Sequence, residues 1–389
     1  MLAAHTVSVF GDRMVAVALA FAVLDAGGST AAVGLVLACA SAPLVLCLPA
    51  GGVVADRVSR RGLMVTADLV RVATQATLAA LVITGTAQVW MLAALAGLTG
   101  AATGFFAPAS TGLLPSVVPP EQLQAVNGLR GSLTAGGEIG GPLAAGAITA
   151  AVGPGWALGA DAVTFLLSAL LLAGVTVAPR AARQTTRFLA DLREGWGAFR
   201  SRTWLWAVVS AAAFSNLLWG AWSALGPVVA DRELGGAAAW GTVLAFLGAG
   251  ALLGGLVAAR SRPRRPLVWF ALSGPVFSLP LAALALGTPV APLAAAALLS
   301  GAAMMLGNAV WETTLQRHVP DESLSRVSSY DWFGSLAFYP VGVAMWGPIA
   351  ALLGIASALW IAFALQGLVM LALLAVADVR RLPAAPSAA

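Results

Sequence analysis

The 389-residue chain contains no lysine, and only 10% of its residues are charged. Without lysine there is no phosphate-binding GxxxxGK loop, which excludes an ATP-driven pump built from this chain alone. The two histidines, His5 and His318, lie far apart with no ligand-spaced companions, so no metal centre is expected. The two cysteines, Cys39 and Cys47, share one apolar run and read as small buried residues. Asp, Glu and His residues are scattered over different runs, which argues against an enzyme, and no cofactor is implied. All 21 basic residues are arginine. They are not gathered into a soluble basic face, so the net charge of +5 does not point to nucleic acid.

What the chain has in excess is apolar residues. It is 60% hydrophobic, against about 45–50% for a soluble domain. A helix that crosses a bilayer needs about 20 mostly apolar residues. Runs of that length fall near 3–26, 30–55, 63–84, 88–113, 125–151, 155–178, 203–229, 237–260, 267–287, 290–316, 325–349 and 352–377. The chain therefore reads as an all-α membrane protein of about twelve transmembrane helices. The arginines cluster in alternate connections: Arg57, Arg60 and Arg61 after span two, Arg180 to Arg202 after span six, Arg260 to Arg265 after span eight, Arg317 and Arg326 around the loop after span ten, and Arg380 and Arg381 after span twelve. The opposite loops hold only Arg232. The positive-inside rule makes the arginine-rich side cytoplasmic, with both termini there. The first run lacks a basic leader and is too long for a cleavable signal peptide.

Two stretches occur twice. "GGVVADRVSRRG" from Gly51 returns as "GGLVAARSRPRRP" from Gly254, keeping both glycines, Arg57 as Arg260 and Arg61 as Arg264, but with Ala259 where Asp56 stands. "VPPEQLQAVN" from Val118 returns as "VPDESLSRVS" from Val319. The nearly equal offsets, Gly51 to Gly254 and Val118 to Val319, indicate a duplicated six-helix unit. We place the two pseudo-symmetric bundles at 1–178 and 203–378, joined by a linker, 179–202, and followed by a tail, 379–389. In the linker Phe188, Leu192, Trp196 and Phe199 fall on one helical face, which fits a helix lying on the membrane surface. A partly ordered linker fits equally well. Duplicated halves are the architecture of many secondary transporters, with the substrate site near the midplane between them.

With these features the chain resembles the major facilitator superfamily. Gly52, Asp56, Arg57, Arg60 and Arg61 match its motif between helices two and three. In span five Gly137, Gly141, Pro142 and Gly146 resemble its antiporter motif, with Ala145 replacing one glycine. "FFAPAS" (105–110) and "LLPSVVPPEQLQAVNGL" (113–129) are similar to the bacterial drug:proton antiporter branch that includes macrolide and siderophore exporters. The span-four stretch "ALAGLTGAATG" (94–104) lacks the arginine that the superfamily links to proton coupling. The resemblance implies a major-facilitator-type fold and a monomer that exports lipophilic small molecules from the bacterial plasma membrane in exchange for protons. It implies a cytoplasmic gate in which Asp56 caps span eleven and Arg57 pairs with Asp331. It also puts spans one, four, seven and ten around the cavity.

An ionised group at the bilayer centre costs about 2.5–3.5 kcal/mol on insertion scales, so charges inside spans are candidates for function. Asp12 and Glu138 are candidate proton carriers; the alternative for Asp12 is an ion pair that only fixes packing, and for Glu138 a structural hydrogen bond to a neighbouring helix. Arg13 is a candidate for the cavity. Asp68 and Arg71, three residues apart near the start of span three, read as a local pair supporting the loop. In span ten Asn308, Glu312 and Gln316 recur every four residues beside Trp311. In span seven Asn216, Trp219 and Trp222 recur every three, and Phe105 and Phe106 lie in span four. Aromatic rings, a few polar groups and an acid suit bulky, lipophilic, cationic molecules. The tryptophans fit lipid-facing or packing positions as well. Uptake of a small metabolite is the alternative transport direction, against which the span-five motif argues. A membrane sensor or subunit lacks any extramembrane domain with which to dock. A drug, an antibiotic made by the host and a siderophore all fit as substrates.

Overall fold

The computed structural model describes residues 2–118, 123–175, 196–197 and 199–384. Helices dominate because the runs are apolar and nothing but closed backbone hydrogen bonding is tolerated in lipid. In the first half they are α1 (Leu2–Asp25), α2 (Thr30–Arg57), α3 (Arg60–Ile83), α4 (Val89–Val117), α5 (Leu123–Val152) and α6 (Pro154–Ala173). In the second they are α7 (Thr203–Val229), α8 (Ala237–Arg260), α9 (Pro266–Phe277), α10 (Leu279–Ala285), α11 (Val290–His318), α12 (Asp321–Leu336), α13 (Tyr339–Leu353), α14 (Ile355–Ala372) and the short α15 (Ala377–Arg381). Among the described residues, eleven stretches are long and apolar enough to cross a membrane. The thirty-residue α5 is not among them. Its glycines, Arg130 and Glu138 dilute the apolar run.

Two of the expected single spans are broken. Span nine splits into α9 and α10 around Ser278, with Pro280 just beyond. Span eleven splits into α12 and α13, with Pro340 at the start of the second piece. Proline removes one backbone donor and frees a carbonyl a turn earlier. In both cases a side chain from a neighbouring helix takes up a carbonyl at the break. The Ser300 hydroxyl donates to Phe277 O (2.6 Å), and Asn216 Nδ2 donates to Ser335 O (3.0 Å). In sequence, 267–287 and 325–349 read as unbroken spans, so the breaks depart from expectation.

The chain forms two compact units, Met1–Arg183 with Ala224–Ala245, and Gln184–Ser223 with Phe246–Ala389. In the first unit α1 packs on α5 and α6, α3 on α4 and α6, and α2 on α4. The hairpin formed by the last turn of α7 and the start of α8 belongs to this unit. Gly226 lies under the Trp240 ring, and Gly241 sits on Pro142 O. In the second unit α9 packs on α11 and α14, and α10 on the same two helices. Of the linker face, Phe188 and Leu192 lie outside the described residues. Trp196 stacks on Phe199 (5.6 Å between ring centroids), and both rings meet Tyr330 of α12.

Close helix packing rests on glycine, as expected where helices have little hydrophobic drive toward one another in lipid. The duplication preserves this. A side chain at Gly51 of α2 would strike Gly104 O and Phe105 of α4, and one at the matching Gly254 of α8 would strike Ala302 of α11. Gly100 faces Ala40 O, and Gly250 and Gly301 face Leu298 O and Leu247 O. Overpacking costs roughly 1–3 kcal/mol. Gly100→Ala is therefore expected to lower the thermal stability of the purified protein clearly. Gly136→Ala, where a Cβ meets nothing within 4 Å, is expected to leave it unchanged. Equal melting temperatures for the two variants would contradict this packing.

Candidate functional site

Successive residues on a helix point about 100° apart, and α1 uses three in a row to meet three neighbours. Gly11 lies against Asp161 and Thr164 of α6, where any side chain would collide with the carboxylate. Asp12 faces α3, with Oδ1 3.6 Å from Arg71 Nη1. Arg13 faces α5 and forms an ion pair with Glu138. The span-five motif is what lets α1 approach. Gly137 sits beside Val9 and Phe10, Gly140 beside the Phe10 ring, and Gly141 beside Arg13 and Phe10 O. The rest of the motif faces elsewhere: Pro142 O meets Gly241, and Gly146 meets Ala237 and Gly241 of α8. The alanine at 145 is buried.

Arg71 is the centre of this cluster. Asp68 and Arg71 are not at the mouth of span three, as the sequence reading placed them. Because α3 begins at Arg60, Arg71 falls at its midpoint. Both side chains are completely buried, and Arg71 Nη2 lies 3.0 Å from Asp68 Oδ1. The guanidinium is sandwiched between the rings of Phe106 (4.2 Å) and Phe165 (4.3 Å), a favourable place for a desolvated cation. Nη1 also reaches Ser8 Oγ at 3.4 Å. Ser168 donates to Asp68 Oδ2 (2.7 Å). Phe106, expected on the cavity wall, is thus buried over Arg71, while Phe105 is half-buried.

One further acid joins them. Asp161 of α6 is fully buried and accepts from Gln75 Nε2 at 2.8 Å. Sequence reasoning missed it because a lone aspartate near the start of an apolar span gives no sign of its depth or partners. Nearer the start of α1, Arg130 Nε donates to His5 Nε2 (3.1 Å), and Thr134 lies 3.3 Å from the same nitrogen.

In the second unit Asn308, Glu312 and Gln316 form the expected stripe, and all three are exposed. Trp311 departs from expectation. One residue from Glu312, it is turned by about 100° into the core, against Trp204 and Phe270. There its Nε1 donates to Asp331 Oδ2 (3.0 Å). Asp331 is buried, with Ser335 Oγ at 3.4 Å from its other oxygen. Trp219 is half-buried and stacks on Phe277 (4.1 Å) and on the buried Trp222 (5.4 Å). Asn216 bonds the broken span eleven as described above.

In the loop after α2, Arg57 is exposed. Arg60 Nε donates to Ala55 O (3.4 Å). Arg61 Nη2 donates to Ala173 O (2.7 Å), setting a cation at the C-terminal end of α6, where the helix dipole favours it. No Cβ contact surrounds Gly52. The side chain of Asp56 lies outside the described ones.

A model of the Major Facilitator Superfamily matches residues 1–335. The chain is 25% identical over 264 residues to Macrolide efflux protein A of Streptococcus pyogenes, covering 66% of this chain and 64% of that protein. It is 26% identical over 218 residues to Macrolide efflux protein A of Enterococcus faecalis, covering 54% and 66%. The chain thus spans just under two thirds of the length of the streptococcal relative. Among solved structures it is similar to the peptide transporter POT (TM-score 0.77, 15% identity, 98% of this chain and 95% of that one). It is also similar to the nucleoside transporter NupG (0.76, 12%, 96% and 96%). These identities speak for the fold alone. The all-helical architecture, the glycine-packed duplicated helices and the match over most of the chain agree: this is a multi-pass membrane protein that belongs to the major facilitator superfamily.

Proposed function

We propose that the protein is a secondary active exporter that expels lipophilic small molecules in exchange for protons by alternating access. It works as a monomer in the bacterial plasma membrane with both termini cytoplasmic. The observation that carries this reading is the set of ionisable groups at mid-helix in the first unit: Arg13 with Glu138, and Arg71 with Asp12 and Asp68. Charges at that depth are costly to insert, and a proton moving down its gradient gains roughly 2.3 kcal/mol per 100 mV. Export rather than uptake is supported by the efflux proteins to which the chain is similar. Their name points to macrolide-like molecules, large and lipophilic with a basic group. The exposed Asn308–Glu312–Gln316 stripe would offer such a cation an acid and two amides, and Phe105, Trp219 and Trp222 would add ring surface.

Carriage by Asp12 and Glu138 is testable in inverted membrane vesicles loaded by a pH gradient. Asp12→Asn and Glu138→Gln are each expected to abolish gradient-driven dye efflux with normal amounts of protein in the membrane. Wild-type rates in both variants would sink the assignment.

The loop after α2 acts as a cytoplasmic latch in this reading. Gly52, Arg60 and Arg61 shape it, Asp56 caps the start of span eleven, and Arg57 pairs with Asp331. The expected outcome is that Arg57→Asp impairs transport and that adding Asp331→Arg restores part of it, a coupling read from the double-mutant cycle. Asp56→Asn should be far more harmful than any change at Ala259. A double variant no better than the single would count against the pair.

A further inference from the structure

Four carboxylates and two guanidiniums meet where α1, α3, α5 and α6 pack: Asp12, Asp68, Glu138 and Asp161 with Arg13 and Arg71. Arg13 is taken by Glu138. Arg71 is left with three acids, of which Asp68 touches it at 3.0 Å and Asp12 at 3.6 Å. Among the described residues no cation makes a hydrogen bond or ion pair to Asp161, whose side chain bonds Gln75 and Thr164. An unpaired carboxylate in a dry interior is so costly that the group takes up a proton instead.

The hydrogen-bond pattern around Asp161 agrees. Thr164 Oγ1 lies 2.8 Å from the Asp161 backbone carbonyl and 3.1 Å from Asp161 Oδ1. A hydroxyl has one proton to give. Given to the carbonyl, the usual bond of a helical threonine to a carbonyl a turn earlier, it leaves a lone pair facing Oδ1. Both contacts are hydrogen bonds at once when Oδ1 carries a hydrogen, whereas an ionised Asp161 leaves one of the two without a proton. Gln75 Nε2 meanwhile donates to Oδ2, the carbonyl oxygen of a neutral acid.

The second half shows that the fold does not need these charges. Its matching helices, α7, α9 with α10, and α14, contain no charged residue. Gly153 and Gly354, which precede α6 and α14 and both have positive φ (97° and 85°), bring Asp161 into register with the buried Ala362. The same three-helix packing is closed there by Gln366 Nε2 donating to Ser215 Oγ (2.5 Å), and by Met370 filling the space beside Gly274. Charges absent from one copy are not demanded by the architecture of the other.

We propose that Asp161 holds a proton inside the first unit, and that Asp161 with Asp12, Asp68 and Arg71 forms the site that binds and releases the coupling proton. This rests on the proposed proton-driven export. Asp12 is the outlet: it is part-exposed, whereas Asp68, Arg71 and Asp161 are sealed, and its neighbour Gly11 touches Asp161. When the proton leaves Asp161 for Asp12 and then water, Asp161 becomes a carboxylate and Arg71 is the nearest cation to stabilise it. The other ionisable groups on the packed helices are His5 with Arg130, Arg13 with Glu138, Asp25 at the end of α1, and Arg60 and Arg61 at the start of α3. α4 has none.

The test uses the purified full chain. Infrared spectra in light and heavy water at pH 7 are expected to show a carboxylic-acid carbonyl band that disappears in Asp161→Asn. Asparagine mimics the neutral acid, so this variant should melt at the wild-type temperature. An unchanged band, or a variant that fails to fold, would overturn the proposal. In liposomes, one coupled proton supports roughly tenfold accumulation per pH unit of gradient. Asp161→Asn should lose that accumulation while retaining counterflow exchange of the same dye. Full accumulation by the variant would remove Asp161 from coupling. A wild-type protein that exchanges dye but ignores the gradient would refute proton-driven export, while the infrared band still decides whether Asp161 is protonated.

Discussion

A fully buried guanidinium at the midpoint of a helix must be neutralised where it sits. Arg71 imposes that condition on everything around it. Asp68, one turn away, supplies the nearest charge, and Asp12 of α1 a second. Phe106 and Phe165 close over the two faces of the guanidinium and exclude solvent. Removing one member of a buried pair costs about 3–5 kcal/mol because the other is stranded. Helices α1, α3, α4 and α6 are therefore held at Arg71 by more than shape. Counting Asp161, three acids share the one guanidinium of Arg71, and this excess of acid gives the cluster its capacity for a proton.

Close approach is the second condition, and glycine provides it. Gly11 admits the Asp161 carboxylate to the backbone of α1, and Gly137 and Gly141 admit α1 to α5. These contacts bring Asp12 and Arg13 within reach of partners on two different helices. Asp12 and Arg13 are neighbours in sequence yet serve separate ion pairs, because a helical step of about 100° turns one toward α3 and the other toward α5. A small rotation of α1 would shorten one contact as it lengthened the other. On the proposed mechanism, that links protonation of Asp12 to the Arg13–Glu138 pair without any long relay.

Much of the fold was legible because its rules are one-dimensional. Apolar length gave the spans, and two repeated stretches gave the duplication; Gly51 and Gly254 then proved to make equivalent contacts. Tertiary facts were not legible. The sequence places Asp68 eight residues beyond Arg60, but only the start of α3 at Arg60 reveals that it lies deep. Asp161 carries no motif, and its meaning comes from Gln75, eighty-six residues away. Trp311 was grouped with its polar neighbours, whereas its indole nitrogen has a buried acceptor in Asp331 that draws it inward. The breaks of spans nine and eleven were hidden because proline is common in membrane helices. What marks them is the partner, Ser300 or Asn216, that takes up a carbonyl at the break.

The two copies have been spent on different chemistry. In the first, three matching helices carry aspartates and an arginine; in the second they carry a glutamine–serine hydrogen bond and a methionine in a glycine gap. The second unit instead holds the stacked Trp219, Trp222 and Phe277, the helix breaks and the exposed polar stripe of α11. On the proposed mechanism, protons are handled in one copy and much of the substrate surface lies in the other. The chain provides a covalent bridge. Residues 224–245 belong to the first unit, where Gly241 rests on Pro142 of the same helix that bears Glu138 four residues earlier. On either side, α7 and α8 run on into the second unit. On the proposed mechanism, a displacement of α5 on breaking the Arg13–Glu138 pair would be passed through backbone-to-backbone contact into a segment continuous with Trp219 and Trp222. Proton binding and substrate release can be coupled in this way without sharing a residue.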